Sequence, residues 1–416
     1  MAFADRYLSR HTNNQCLIDK NPAKDVKIIV IIPSYNESGL INSLDSLFKA
    51  EISDFSIEVI VNINWPEGAD KDIIERSERL FKEVSDWSER HSSDKRQFFI
   101  LKSPLQRKKH AGVGLARKIA MDEATRRFNI LDKEDGLICS FDADSECDPN
   151  YFQKIADHFN KNPKTDACSI YFEHPITGTE FPPEAYQGIT LYELHLRYYV
   201  RALRFTGHPN IFQTIGSAFA VKTSIYCKEG GMNKKKAGED FYFLQKIFDL
   251  GNYSDCNTTR VIPSSRPSDR VPFGTGRAIS DYLKSGEELK TYNPELFLEL
   301  KKFIQTIKQT DFEDTNFRKH FLDTIPPTIM DYLKSINFEI ILDEIINNSS
   351  NPQSFVKRFF RWFNMFRIMK FLNYAEKYYP EIEVKKASGA LLKLESHEIQ
   401  EESAKTLLIL YRELEK

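Results

Sequence analysis

The stretch Gly136-Leu137-Ile138-Cys139-Ser140-Phe141-Asp142-Ala143-Asp144 decides how this chain is read. Its first six residues are apolar or small, as in a strand buried on both faces, and two carboxylates follow at once. Open α/β sheets place ligands beyond the carboxyl ends of their strands, so Asp142 and Asp144 are expected at the functional edge. Two Asp separated by one residue in extended chain point the same way and can offer hard oxygen ligands to one Mg2+ or Mn2+ ion. By itself D-x-D is a weak signal in a chain with 60 acidic residues, so its surroundings must carry the argument.

Upstream, Val26 to Ile32 (VKIIVII) is a β-branched run stopped by Pro33, which reads as a buried central strand. Further strands are expected at Ile57 to Ile63, around Phe98 to Leu101, at Asp166 to Phe172 and at Thr214 to Val221. Helices are expected at Ser38 to Lys49 and Glu239 to Leu250, and Asp148-Pro149 reads as an N-cap followed by Pro at the first helical position. Val113, Ala116, Ala120 and Ala124 put small residues on one helix face, against a sheet. This alternation predicts an α/β fold with a mostly parallel, doubly wound sheet.

From about Ile279 the pattern turns to helices alone, with Pro294, Pro326, Pro327, Pro352 and Pro380 as breaks. The expected organisation is an N-terminal extension over 1–24, polar and irregular, a catalytic domain over 25–278 and an all-helical C-terminal module over 279–416. Within that module SFVKRFFRWFNMFRIMKF reads as one helix apolar nearly all round. Such a helix is usually buried in a core, with peripheral membrane contact or an oligomer contact as the alternatives.

Composition excludes several classes. The 41% hydrophobic fraction, with 31 Phe and 18 Tyr, is that of a packed protein rather than a disordered one. Lys and Arg total 58 against 60 Asp and Glu, so nothing global points to nucleic acid as a partner. The six cysteines include no C-x-x-C pair, which fits reduced thiols. No apolar run approaches the roughly 20 residues that span a bilayer, and no signal-peptide pattern opens the chain, so a cytoplasmic protein is expected, with the inner membrane face as an alternative location.

Two further constellations bear on chemistry. Gly238-Glu239-Asp240 places adjacent acids at the head of a helix. A carboxylate there could deprotonate an attacking hydroxyl, or could simply favour the positive helix terminus. The basic set comprises Arg107, Lys108, Lys109, His110, Arg117 and Lys234 to Lys236, suited to phosphate. Arg117 stands out because its helix is otherwise small-residue. Gly112-Val113-Gly114 imitates a dinucleotide fingerprint but lacks the third glycine.

In this order the motifs resemble the family-2 glycosyltransferases of GT-A fold, over about Lys27 to Gly276. Pro33-Ser34-Tyr35-Asn36-Glu37 is similar to the family's P-x-Y-N-E loop, which implies that Pro33, Tyr35, Asn36 and Glu37 lie against the nucleotide. Asp142 to Asp144 matches the D-x-D, Gly216-Ser217-Ala218-Phe219 resembles the acceptor-side strand, and Glu239-Asp240 matches the E-D pair, whose Asp is the base. The resemblance implies a hexosyltransferase-type enzyme that moves a sugar from a nucleoside-diphosphate sugar to a saccharide, lipid-linked or small-molecule acceptor. It further implies inversion at the anomeric carbon with help from Mn2+ or Mg2+, in polysaccharide or glycoconjugate synthesis.

Where the family commonly carries D-D-x-S, this chain reads Val61-Asn62-Ile63-Asn64-Trp65. Asn64 is the candidate to bond the base and Trp65 to stack on it. The loop Ser264 to Gly276 is expected to close over the diphosphate, with Arg266 or Arg270 contacting it and Asp269 as an extra ligand. Two other readings compete: a sugar-phosphate nucleotidyltransferase, which would need a Gly-rich basic loop that Pro33 to Ser38 does not offer, and a non-catalytic nucleotide-sugar or glycan-binding protein.

Overall fold

The computed structural model describes residues 2–12, 15–105, 111–270, 273–309, 317–400 and 402–416. The basic run Arg107 to His110 lies outside the described residues. The chain forms two compact units, Met1–Pro175 with Phe212–Ser265 and Arg270–Phe273, and Ile176–Ile211 with Arg266–Asp269 and Gly274–Lys416. The division therefore crosses the chain several times rather than once near 278.

The first unit is built on a sheet of β1 (Val26–Ser34), β2 (Ser56–Pro66), β3 (Arg96–Leu105), β4 (Leu137–Ser140), β5 (Glu146–Cys147), β6 (Ala167–Phe172), β7 (Phe219–Lys222) and β8 (Tyr253–Ile262). Their order is β3-β2-β1-β4-β7-β6-β8-β5. The run β3-β2-β1-β4 is parallel throughout, and β7 then pairs antiparallel with both β4 and β6. This is the expected α/β, mostly parallel, GT-A-like sheet. All residues of β1 except Lys27 are buried, as the apolar run requires.

β1 does not stop before Pro33 but runs through it, with Pro33 opposite Asn62 of β2. Proline lacks an N–H, yet on the other side the β4 pairing has already ended at Ile31 opposite Ser140, so no ladder bond is lost there. β1 continues to β2 on one side and has β4 on the other, which makes the gap between β1 and β4 the point where strand order reverses. In open α/β sheets that is where ligands bind.

Several local expectations change. Residues Asp5–His11 form a helix, not irregular chain, with Tyr7 and Leu8 buried. The Tyr7 hydroxyl donates to Asp122 at 2.7 Å on the Val113–Ile130 helix, which anchors the segment. The helix after Asp148-Pro149 is Tyr151–Lys161, so Asp148 is not its cap; its carboxylate instead accepts from Arg260 Nη2 at 2.9 Å.

The second unit holds the Pro183–Phe205 helix and the C-terminal helices, with one two-stranded ribbon of β9 (Lys290–Thr291) and β10 (Ile382–Glu383). The long aromatic segment is two helices, Pro352–Trp362 and Met365–Ala375, broken where the Asn364 side chain accepts the Arg367 N–H as an N-cap. The break explains why apolar residues seemed to cover every face: each short helix buries a different one. Around them Phe303, Phe321, Phe355, Phe359 and Phe363 form an aromatic core.

Charges clasp the Ala404–Glu415 helix to Pro183–Phe205: the fully buried Glu193 accepts from the fully buried Arg197 at 2.8 Å and from Arg412 at 2.7 Å, and Arg197 also pairs with Glu415. No helix among the described residues is long and apolar enough to cross a membrane.

Candidate active site

The site is organised by Arg117, whose side chain is 2% exposed. The Val113–Ile130 helix packs on β1 and β2 and aims Arg117 at the β4 edge. There Nη1 donates to Glu239 Oε1 and Nη2 to Asp142 Oδ1, the latter at 2.7 Å. Burial alone would lower the guanidinium pKa, but the carboxylates of Glu239, Asp142 and Asp240 outweigh it and raise it. A buried cation tolerates this position only because it is paired.

Glu239, 3% exposed at its side chain, is held entirely inside; Asp142, at 40%, reaches outward. Asp142 and Asp144 sit on a turn, closed by the Ser145 N–H donating to the Asp142 carbonyl at 3.1 Å, rather than on extended chain. Strand alternation therefore does not explain their common placement; the turn at the end of β4 does.

Asp240 is partly exposed, and its Oδ1 accepts the Phe241 N–H at 2.7 Å. Burial pushes its carboxyl up, and so do the neighbouring Glu239 and Asp142; Arg117 and the Phe241 N–H pull it down, and the balance lies at about 7. Such a carboxyl can take a proton near neutrality.

Gly216 completes the group. A Cβ on Gly216 would lie 2.7 Å from Asp240 Oδ2 and 3.1 Å from Arg117 Nη2, so a bare backbone lets both heads sit there. Gly216→Ala should leave the fold intact and push the Asp240 carboxylate aside, lowering kcat about 100-fold in steady-state assays, the cost of roughly 1 Å of misplacement. Unchanged kcat would show that this close approach is irrelevant.

Gly112 and Gly114 are packing positions, not a phosphate fingerprint. A Cβ on Gly114 would collide with the Lys235 carbonyl oxygen, and one on Gly112 would meet Lys236 Cα at 2.9 Å. Their absence draws residues 233–236 against the helix and so brings Glu239 onto Arg117, while Asn233 Nδ2 donates to the Glu239 carbonyl at 2.8 Å. Lys234 to Lys236 remain exposed at this rim.

At the end of β1, Asn36 takes a left-handed φ of 48°. Arg270 donates from Nη1 to the Tyr35 carbonyl at 3.1 Å and to Glu37 Oε2 at 2.9 Å, and from Nη2 to the Asn36 carbonyl at 2.8 Å. Arg270 is thus a strap on the Pro33 to Glu37 loop, where a diphosphate contact was expected. The loop runs close to the D-x-D, since a Cβ on Gly39 would be 3.9 Å from Asp144 Cα. Arg266 and Asp269 belong to the second unit, where Asp269 pairs with Lys284 at 3.1 Å.

Asn64 does not offer its amide to a base. It is 4% exposed, and Nδ2 donates to the Ser34 carbonyl at 2.9 Å and the Asn62 carbonyl at 3.2 Å. Trp65, at 7%, is likewise buried, because β2 extends to Pro66 instead of ending at Ile63. Asn62 ties β2 to the Arg117 helix by donating to the Ala116 carbonyl at 2.9 Å.

Among the described residues no three His, Cys, Asp or Glu side chains form a ready metal cage. Asp142 and Asp144 nonetheless offer two carboxylates of the hard-oxygen kind a divalent cation takes, and Asp142 Oδ1 already accepts from Arg117.

A buried guanidinium, a D-x-D turn and a half-buried carboxylate thus meet at a strand-order reversal. Residues 89–228, which run from before β3 through the D-x-D to the Thr223–Lys228 helix, match the model of glycosyl transferase family 2. The chain thus carries a family-2 glycosyltransferase segment. No curated protein matches it.

Solved structures similar to it include S. aureus TarS 1-349 in complex with UDP-GlcNAc, at 14% identity and TM-score 0.41, covering 74% of this chain and 84% of that one. Another is the mannosyltransferase PcManGT from Pyrobaculum calidifontis in complex with GDP-Man and Mn2+, at 14% and 0.37, covering 99% and 92%. The match to S. aureus TarS, at 13% and 0.39, covers 73% of this chain and half of that protein (50%). TM-scores this low decide nothing about activity.

Proposed function

We propose that this chain transfers a sugar from a nucleoside-diphosphate sugar to an acceptor hydroxyl by a single inverting displacement, in polysaccharide or glycoconjugate synthesis. The observation that carries the reading is the Asp240 carboxyl, held at about 7 beside an Arg117 that also grips Asp142 of the D-x-D. Asp240 takes the acceptor hydroxyl proton while that oxygen bonds to the anomeric carbon. The bond from that carbon to the diphosphate oxygen breaks, and its electron pair leaves with the nucleoside diphosphate.

Glu239 is a positioning residue: it fixes Arg117, and through it Asp142. Pro33, Tyr35, Asn36 and Glu37 would border the nucleotide, their backbone restrained by Arg270. A Mn2+ or Mg2+ ion held by Asp142 and Asp144 would neutralise charge on the leaving diphosphate. The acceptor class stays as broad as a saccharide, a lipid-linked saccharide or a small metabolite.

The test is nucleoside diphosphate release from a panel of UDP-, GDP- and dTDP-sugars with Mn2+. Asp142→Ala should weaken metal-dependent donor binding at least about tenfold, the loss of one charge-assisted ligand. Tight donor binding without turnover for every donor and acceptor would favour the binding-protein reading.

The pH dependence follows from Asp240. Because the base is the carboxylate, kcat/KM should rise with pH through about 7 and level off above it. The folded chain also holds this proton more tightly than the unfolded chain, whose pKa is near 3.8, so the associated stability is complete below that value and is lost as pH rises to about 7. A pH–rate profile and melts over the same range check both; a limb near 4 would remove Asp240 as the base.

A further inference from the structure

Most of the aromatic residues of the Pro183–Phe205 helix are occupied within the second unit. The Tyr198 hydroxyl donates to the Tyr292 carbonyl at 2.7 Å, His195 bonds Thr291 at 2.9 Å, and Tyr192, His195 and Tyr199 stack in series. A different pair of tyrosines, outside that stack, lines a cleft of about 460 Å³ between the loop at Ile176 to Gly178, the first turns of that helix, the Thr275–Ser285 helix and Ala404-Lys405.

Glycines build this cleft. Gly188 lets the Tyr282 ring lie directly on the helix, since a Cβ there would touch Tyr282 Cδ1 at 3.0 Å, and Gly178 lets the loop wrap the Tyr186 hydroxyl. Tyr186 also accepts the Phe181 N–H at 3.4 Å, while the half-exposed Tyr282 donates to the exposed Gln187 at 3.1 Å. Two tyrosines are thereby fixed without a full shell of side chains around the outer one.

The lining selects a ligand class. It joins tyrosine rings and the apolar Ile176, Pro183 and Leu191 to an amide, Gln187, and two hydroxyls, Thr177 and Thr190, the latter already donating to the Tyr186 carbonyl at 2.6 Å, and its two charged members, Glu288 and Lys405, are of opposite sign. A polyanion would find only one cation and, with it, one carboxylate, and a lipid chain would strand the polar groups. A saccharide suits both parts, because its C–H faces lie on aromatic rings while its hydroxyls pair with amide, hydroxyl and carboxylate groups. We propose that this cleft, formed wholly within the second unit, is a binding site for an uncharged oligosaccharide. It does not rest on the proposed function, since a glycan-binding protein could equally own it.

The test uses the full chain without donor or metal, and titrates maltotriose, cellotriose, chitotriose and mannotriose by calorimetry and saturation-transfer NMR. At least one should bind. Tyr282→Ala should weaken it about fivefold or more, and Gln187→Ala, an exposed position whose loss should not disturb folding, about threefold. Binding by none of the four, or binding that both variants leave unchanged, would overturn the proposal.

Discussion

Replacing Asp240 by Asn is expected to lower kcat about 1,000-fold, within the range a positioned acid–base group supplies, while the donor dissociation constant stays within about twofold. The amide keeps the size of the carboxyl and an oxygen that can accept the Phe241 N–H, so the helix start at Glu239 should persist. What disappears is a carboxyl beside Arg117 whose proton affinity is set near neutrality; Glu239 is sealed at 3% exposure and bound to the guanidinium.

The variant should also lose the change in stability between pH 4 and 7, because an amide does not titrate. Kinetics, donor titration and melts together separate this from general damage: a damaged site loses donor binding too. Near wild-type turnover in Asp240→Asn would assign the base elsewhere.

Signals that are local and strong made part of this site legible. An apolar run ending in two acids located β4 and the D-x-D, and VKIIVII located β1, because a strand buried on both faces carries few polar residues to confuse its reading. Arg117 was conspicuous as a long cation in a small-residue helix.

Tertiary choices hid the rest. β8, Tyr253–Ile262, carries no clean alternation because its pairing with β6 shifts register between Ile170 and Tyr171. Asn64 looked like a recognition group until the length of β2 turned its amide onto backbone carbonyls. Nor can a sequence show that Gly216, Gly112 and Gly114 are places where two pieces of chain meet, since the second piece is remote in each case.

Arg117→Met should have a large effect on stability in the first unit. The methionine fills much of the volume but leaves Glu239, 3% exposed at its side chain, without its partner, and breaking a buried pair from one side costs about 3–5 kcal/mol. Denaturant melts should show that loss. The double variant Arg117→Met with Glu239→Gln should recover much of it, because the uncompensated charge is gone; a double variant no more stable than the single one would mean that Arg117 matters through packing.

Catalysis should respond as well. Arg117 is one of the two influences that hold the Asp240 pKa down, so in Arg117→Met the rising limb of kcat/KM should move above about 7, whereas the double variant also loses the stronger upward push of the Glu239 carboxylate and should bring the limb back down. A limb that rises in the single variant and falls back in the double one, along with recovered stability, is the signature of a buried pair whose two charges also tune Asp240 in opposite directions.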